Sequence, residues 1–242
     1  MTSGVLGDLS AMRDSTGALL LGLDAEPWHQ ADVRAPSLLP GWTRGHVLSH
    51  IARNADGITR TLDGALRGEI VARYPQGQAG RTADIEDGAG RTAPDLIADV
   101  RRSAVDLDRI FTAIAESDGW QLRAEDRTAA TWVTSRWREV EIHRVDLDRN
   151  YGPQDWPPAF VSYLLPALAV RLARRTQASL RVEITAEGSV SADVAGHAYT
   201  TADDVDGELV AGPDWAVLAW LTGRVDVARD ALSAAPELTP WL

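Results

Sequence analysis

Cysteine is absent from this 242-residue chain, and so is lysine. Without cysteine there is no disulfide, no thiolate zinc site, no iron–sulfur cluster and no catalytic thiol of the protein's own. Thiol chemistry here needs a thiol brought in from outside. Without lysine, every fixed positive side-chain charge is an arginine, whose planar fork suits bidentate binding of carboxylates. Positive charge is also outnumbered, 24 against 35, for a net charge of -11. That balance argues against nonspecific binding to nucleic acid or to an anionic membrane surface. Long apolar runs are missing too. Leu19 to Leu23 is the densest patch near the start, far short of the ~20 residues that span a bilayer. No basic stretch precedes an apolar one as in a signal peptide, so a cytoplasmic location is expected.

What is present is ordinary for a globular protein, with 45% hydrophobic and 24% charged residues. The length allows one large domain or two small ones. Val5 to Leu23 carries apolar residues at helical spacing. A second helix is expected to start after Thr43, a good N-cap behind the turn Leu39-Pro-Gly-Trp42. Residues 68–92 are rich in Gly, Arg, Asp and Gln and read as a long loop. A third helix is expected from about Pro94 to Glu116, with Leu96, Val100, Leu107, Ile110 and Ile114 facing in, and a fourth from about Ala129 to Asp148. Four such helices suggest a bundle.

The breaker cluster Asn150-Tyr-Gly-Pro-Gln-Asp-Trp-Pro-Pro158 then marks a boundary. The expected division is 1–152 and 153–242. Beyond it, Ala159 to Thr176 reads as helix, and Ser179 to Ala186 alternates as a half-buried strand does. Val190 to Val194 is expected to pair with that strand. Asp206 to Val210 is another candidate strand, and Asp214 to Thr222 a helix closed by Gly223. The fold class is therefore α+β: an N-terminal four-helix bundle, then a small α/β domain.

Two spacings carry the chemistry, His46-Val-Leu-Ser-His50 and Glu139-Val-Glu-Ile-His143. Residues four apart on a helix share a face. Facing helices of a bundle are where carboxylate and histidine ligands meet. Two histidines and a carboxylate leave a coordination position open, as a catalytic metal site requires. This donor set suits zinc, and equally non-haem iron. The zinc-protease pattern fails, because Val47 stands where a glutamate would follow the first histidine. Asp146, three residues after His143, reads either as a partner that orients a ligand or, slightly preferred, as a solvated helix carboxylate. Trp42, Trp132, Trp137, Trp215 and Trp220 read as packing anchors, and His29 and His197 as surface residues.

These segments carry a resemblance. Leu39-Pro-Gly-Trp-Thr-Arg-Gly-His-Val-Leu-Ser-His-Ile-Ala-Arg-Asn54 resembles the ligand-bearing second helix of the mycothiol-dependent maleylpyruvate isomerase family. Arg138-Glu-Val-Glu-Ile-His-Arg-Val-Asp-Leu147 resembles its second metal motif, and Ala219-Trp-Leu-Thr-Gly-Arg224 and Pro240-Trp-Leu242 its C-terminal elements. The resemblance implies a DinB-like metal-binding bundle followed by a domain of the sterol-carrier-protein type. It implies His50, Glu139 and His143 as ligands of zinc or another divalent metal, with His46 not a ligand. Arg224 matches an active-site arginine, although an arginine there also suits a helix C-terminus. Arg81 matches a substrate-binding arginine less closely. The implied cofactors are Zn²⁺ and mycothiol, and the implied partners a small-molecule substrate and that thiol. The implied reaction is cis–trans isomerisation by thiolate addition, rotation and elimination. A mycothiol S-transferase and a non-enzymatic small-molecule binding or resistance protein are the alternatives.

Overall fold

The computed structural model describes residues 2–201 and 207–240. Asp206, Trp241 and Leu242, each part of a sequence expectation, lie outside the described residues. The chain divides into two compact units, 1–149 and 150–242, and the fold is α+β.

The first unit opens with α1 (Thr2–Ala25) and the short α2 (Gln30–Arg34), which the sequence did not announce. Then come α3 (Arg44–Leu66), α4 (Gly77–Ala89), α5 (Ala93–Glu116), a hairpin of β1 (Arg123–Ala124) and β2 (Arg127–Thr128), and α6 (Ala129–Asp146). The bundle is α1, α3, α5 and α6: α3 packs on α5 and α6, and α1 on α6. Thr43 caps α3 as expected, its hydroxyl accepting from the His46 amide. One face of α3 then buries Val47, Leu48, Ile51, Ala55, Ile58 and Leu62. On α5 the inward row includes Phe111, while Ile110 is only half buried. A buried carboxylate also ties α5 down. Asp99 accepts from Arg53 of α3 (2.8 Å), Arg91 (2.8 Å) and Arg102 (2.6 Å). These guanidinium bonds outweigh the cost of burial and hold its carboxyl below the usual range.

Residues 68–92 are not one long loop, because α4 occupies their second half. Its apolar content is too small to register as a periodic stripe. It docks through small residues instead, with Gly80, Ile85, Gly88 and Ala89 buried. At Gly88 a Cβ would stand 2.1 Å from the Ser49 hydroxyl of α3, so only glycine lets the two helices approach this closely.

The second unit begins with α7 (Pro158–Ala169). It is shorter than the expected helix, and a separate 3-10 turn follows at Leu172–Arg174. A three-stranded sheet comes next, from β3 (Leu180–Ile184), β4 (Ala198–Thr200) and β5 (Glu208–Gly212), in the order β4-β3-β5. Val182 faces Tyr199 across the antiparallel pair and Val210 across the parallel pair. The expected strand at Val190 to Val194 is replaced by β4. The amides of Val190 (2.9 Å) and Ser191 (2.7 Å) are taken by the buried carboxylate of Asp214, so they cannot enter a ladder. Asp214 begins the last helix, α8 (Asp214–Leu221). Gly223 ends it at φ 79°, and the amide of Arg224 returns to the Ala219 carbonyl (2.7 Å) in a left-handed helix cap. Among the described residues, no helix is long and apolar enough to cross a membrane.

Candidate metal centre

α3 and α6 face one another, and each contributes to one cluster. His50 Nε2 lies 2.9 Å from Glu139 Oε2 and 2.9 Å from His143 Nε2. The third edge, His143 Nε2 to Glu139 Oε2, is 3.4 Å. Donors held at ~2.0–2.1 Å by a tetrahedral zinc ion lie about 3.3 Å apart. The triangle has about that size, and the donor set is the one a catalytic metal takes, so the three residues could hold a metal ion. The Glu139 side chain keeps 24% of its exposure while His50 keeps 5%. The cluster is therefore closed behind His50 and open beside the carboxylate.

Neighbouring groups fix each member. Asp146, wholly buried, accepts from His143 Nδ1 at 2.8 Å. It is an orienting partner and not the solvated carboxylate preferred from the sequence. Its bond takes the Nδ1 proton and turns His143 Nε2 toward the cluster. Arg136, buried one turn before Glu139, donates through Nη1 to the Ile51 carbonyl (2.9 Å) and to Asn54 Oδ1 (3.0 Å). These bonds fasten α6 to α3 next to His50. The Trp42 ring stands edge-on to His50 at 5.6 Å.

His46 and Arg81 act differently from one another. His46 turns away from the cluster. Its Nδ1 accepts from the Thr43 amide (3.1 Å), and its Nε2 meets Glu86 of α4 (3.1 Å). Both ring nitrogens are thus engaged, and this histidine serves the helix cap. Arg81, carried by α4, places Nη2 2.9 Å from His50 Nδ1.

The electrostatics split the two histidines. Burial, reinforced by the charge of His143, pushes the His50 imidazolium down to about 4, against the opposing pull of Glu139. Burial also opposes charge on His143, but its bonds to Asp146 and Glu139 win and raise it above the usual value. Burial disfavours the Glu139 carboxylate, yet the hydrogen bonds from both histidines hold it well below its usual range. Near pH 7 the site thus holds a neutral imidazole, a carboxylate and a histidine that binds a proton readily.

Arg224 belongs to the second unit. It lines a cavity of about 490 Å³ together with Arg175, Trp220, Arg229 and Pro236. The three donors expected from the sequence meet in one cluster, and Arg81 stands beside His50 on α4, not in the long loop expected for it. The sequence reading did not single out Arg136, for which an arginine at an inward helix position is the signal, nor the edge contact of Trp42.

Comparison with solved structures gives two matches over nearly the whole chain. The crystal structure of the mycothiol-dependent maleylpyruvate isomerase is 25% identical, covers 98% of this chain and 97% of that chain, and superposes with a TM-score of 0.80. A histidine-to-alanine mutant of that enzyme is 24% identical, with the same coverage and TM-score. No curated protein matches. The model of one family, described as the mycothiol maleylpyruvate isomerase N-terminal domain, matches residues 13–148. That stretch is more than half of the chain and contains the whole donor cluster, so the chain belongs to the mycothiol maleylpyruvate isomerase family.

Proposed function

We propose that this chain is a zinc-dependent, mycothiol-dependent cis–trans isomerase acting on maleylpyruvate or a close relative of it. His50, Glu139 and His143 hold the metal, Arg224 is the catalytic cation and Arg81 binds substrate. The observation that carries the reading is the convergence of three donor atoms from α3 and α6 within 2.9–3.4 Å of one another, inside the segment that the family's model matches.

A metal ion at these donors supplies a Lewis acid that favours a bound thiol as its thiolate. The external thiol, when bound, supplies the nucleophile whose reversible addition turns a double bond into a single bond free to rotate. The chain's own residues do the rest. Asp146 fixes the tautomer and direction of His143. Arg136 and Trp42 keep the His50 side of the cluster packed and dry. Glu139 stays ionised and marks the open side. A guanidinium carries fixed charge at any working pH. Arg81, in the first unit, and Arg224, in the second, are therefore each suited to binding a carboxylate and to stabilising negative charge that develops beside it.

The test is turnover of maleylpyruvate by the purified protein, followed by absorbance with and without mycothiol, with metal content measured on the same sample. Turnover that requires the thiol, with about one zinc per chain, is the expected result. Zinc with a stable thiol adduct by mass spectrometry would make the protein an S-transferase. A metal-free protein, purified without chelator, would overturn the metal reading.

A further inference from the structure

Arginine can only donate hydrogen bonds. The contact between Arg81 Nη2 and His50 Nδ1, at 2.9 Å, therefore makes Nδ1 the acceptor. A neutral imidazole that accepts at Nδ1 carries its proton on Nε2. The geometry agrees, since Nε2 has the Glu139 carboxylate oxygen 2.9 Å away to receive that proton. Metal coordination through Nε2 needs the opposite tautomer, with the lone pair on Nε2 and the proton on Nδ1. In that tautomer Nδ1–H and the Arg81 N–H point at each other, donor against donor. His143 has no such conflict, because its Nδ1 faces the acceptor Asp146 at 2.8 Å. The two histidines of one cluster therefore have opposite kinds of partner behind them.

We propose that Arg81 and a metal ion compete for His50, so that metal loading detaches Arg81 and frees its guanidinium beside the metal. This rests on the metal reading above and adds to it a gate. Arg81 reaches His50 from α4, with its guanidinium 5.8 Å from the Tyr74 ring centroid, and that aromatic face offers a second resting place for the cation. While Arg81 holds His50, its Nη2 and the direction of its fork are committed to the histidine. Once displaced, the whole fork can turn to an anionic substrate next to the metal. The gate explains why a group that weakens metal affinity can still belong in the site.

Zinc affinity, measured by competition with a fluorescent chelator, tests this on the wild type, Arg81→Met and Arg81→Gln. Methionine removes the competing donor. Glutamine removes it and also offers a carbonyl to Nδ1–H. Zinc should bind at least tenfold tighter to both variants, and at least as tightly to Arg81→Gln as to Arg81→Met. The second readout is ¹⁵N NMR of histidine-labelled protein. The His50 proton should sit on Nε2 without zinc and on Nδ1 with it in the wild type. Zinc that binds the wild type as tightly as both variants would overturn the competition and leave the metal site standing. Tighter binding with no change of tautomer would reduce the effect to charge repulsion, which also overturns it. Failure of all three proteins to bind zinc would instead remove the metal reading, and the gate with it.

Discussion

His143 and His50 show how surroundings divide one residue type into two roles. His143, raised by Asp146 and Glu139, holds its proton to higher pH than a free imidazole does, and a metal must displace that proton. His50, lowered to about 4, is neutral until strongly acid conditions, so metal binding shifts its proton between ring nitrogens without releasing one. The sign follows for metal affinity. Below the raised value of His143, affinity should climb about tenfold per pH unit as one proton leaves per metal bound. Above that value it should level off, and near pH 4 the slope should steepen as His50 also takes a proton. Calorimetry in buffers of different ionisation enthalpy counts the released protons directly. A count of zero at pH 6 would mean that His143 is already neutral there. Asp146→Ala should weaken zinc binding about 10–100-fold by removing the orienting partner, whereas Asp146→Asn, which keeps an acceptor for Nδ1–H, should lose less. Chelator competition reads both. At this scale the sequence was most legible where spacing alone sets geometry, as for Glu139 and His143. Asp146 sits at an equally regular spacing, but spacing does not tell a buried partner from a solvated one. His46 shows the converse, since its spacing suits a ligand and its cap bonds to Thr43 employ it elsewhere.

Among the elements, α4 is one that the sequence concealed, and Arg81 depends on it. An element with four buried residues, two of them glycine, has no apolar stripe to read. What defines it is its closeness to α3, and closeness appears in a sequence only as small residues. Its consequence is testable. Gly88→Ala places a Cβ 2.1 Å from the Ser49 hydroxyl, next in sequence to His50. Helix propensity alone would favour alanine by about 1 kcal/mol. The steric conflict opposes this, and overpacking of that kind costs about 1–3 kcal/mol. The variant should therefore unfold at lower denaturant concentration than the wild type, and bind zinc less tightly because α3 must shift at His50. Ser49→Ala in the Gly88→Ala background removes the clashing oxygen and should recover part of both losses. A stabilised Gly88→Ala protein would show that α4 can move away without cost, and that the close approach does not position the site. The longer helices were legible for the opposite reason. On α3, a good N-cap and a continuous apolar face coincide. The displaced strand in the second unit failed to pair because Asp214 captures its amides, a long-range competition that no local pattern contains.

At the level of the whole molecule, the donors of the metal cluster all lie in the first unit, whereas Arg224 lies in the second. In the sequence, the breaker cluster and the change from helical to alternating pattern after it led to an expected division after residue 152. What was not readable is whether the two units share one unfolding transition, because that depends on how strongly they stabilise one another. Metal removal measures it. A ligand at a thousandfold excess over its dissociation constant stabilises the state it binds by about 4 kcal/mol. That stabilisation reaches only the segments that open together with the site. If the first unit opens by itself, zinc should slow amide hydrogen exchange by up to about a thousandfold in the cores of α3 and α6. Exchange at Val182 of β3 and Val210 of β5 should stay unchanged on addition or chelation of the metal. Exchange measured residue by residue by NMR, under conditions where exchange reports the opening equilibrium, separates the cases. Slowing confined to α3 and α6 would mean that metal loading rigidifies the bundle alone, and that the arginine-lined cavity around Arg224 is built in advance of it. Equal slowing in β3 and β5 would mean that the chain unfolds as one body, and that the metal stabilises the Arg224 cavity as firmly as its own ligands.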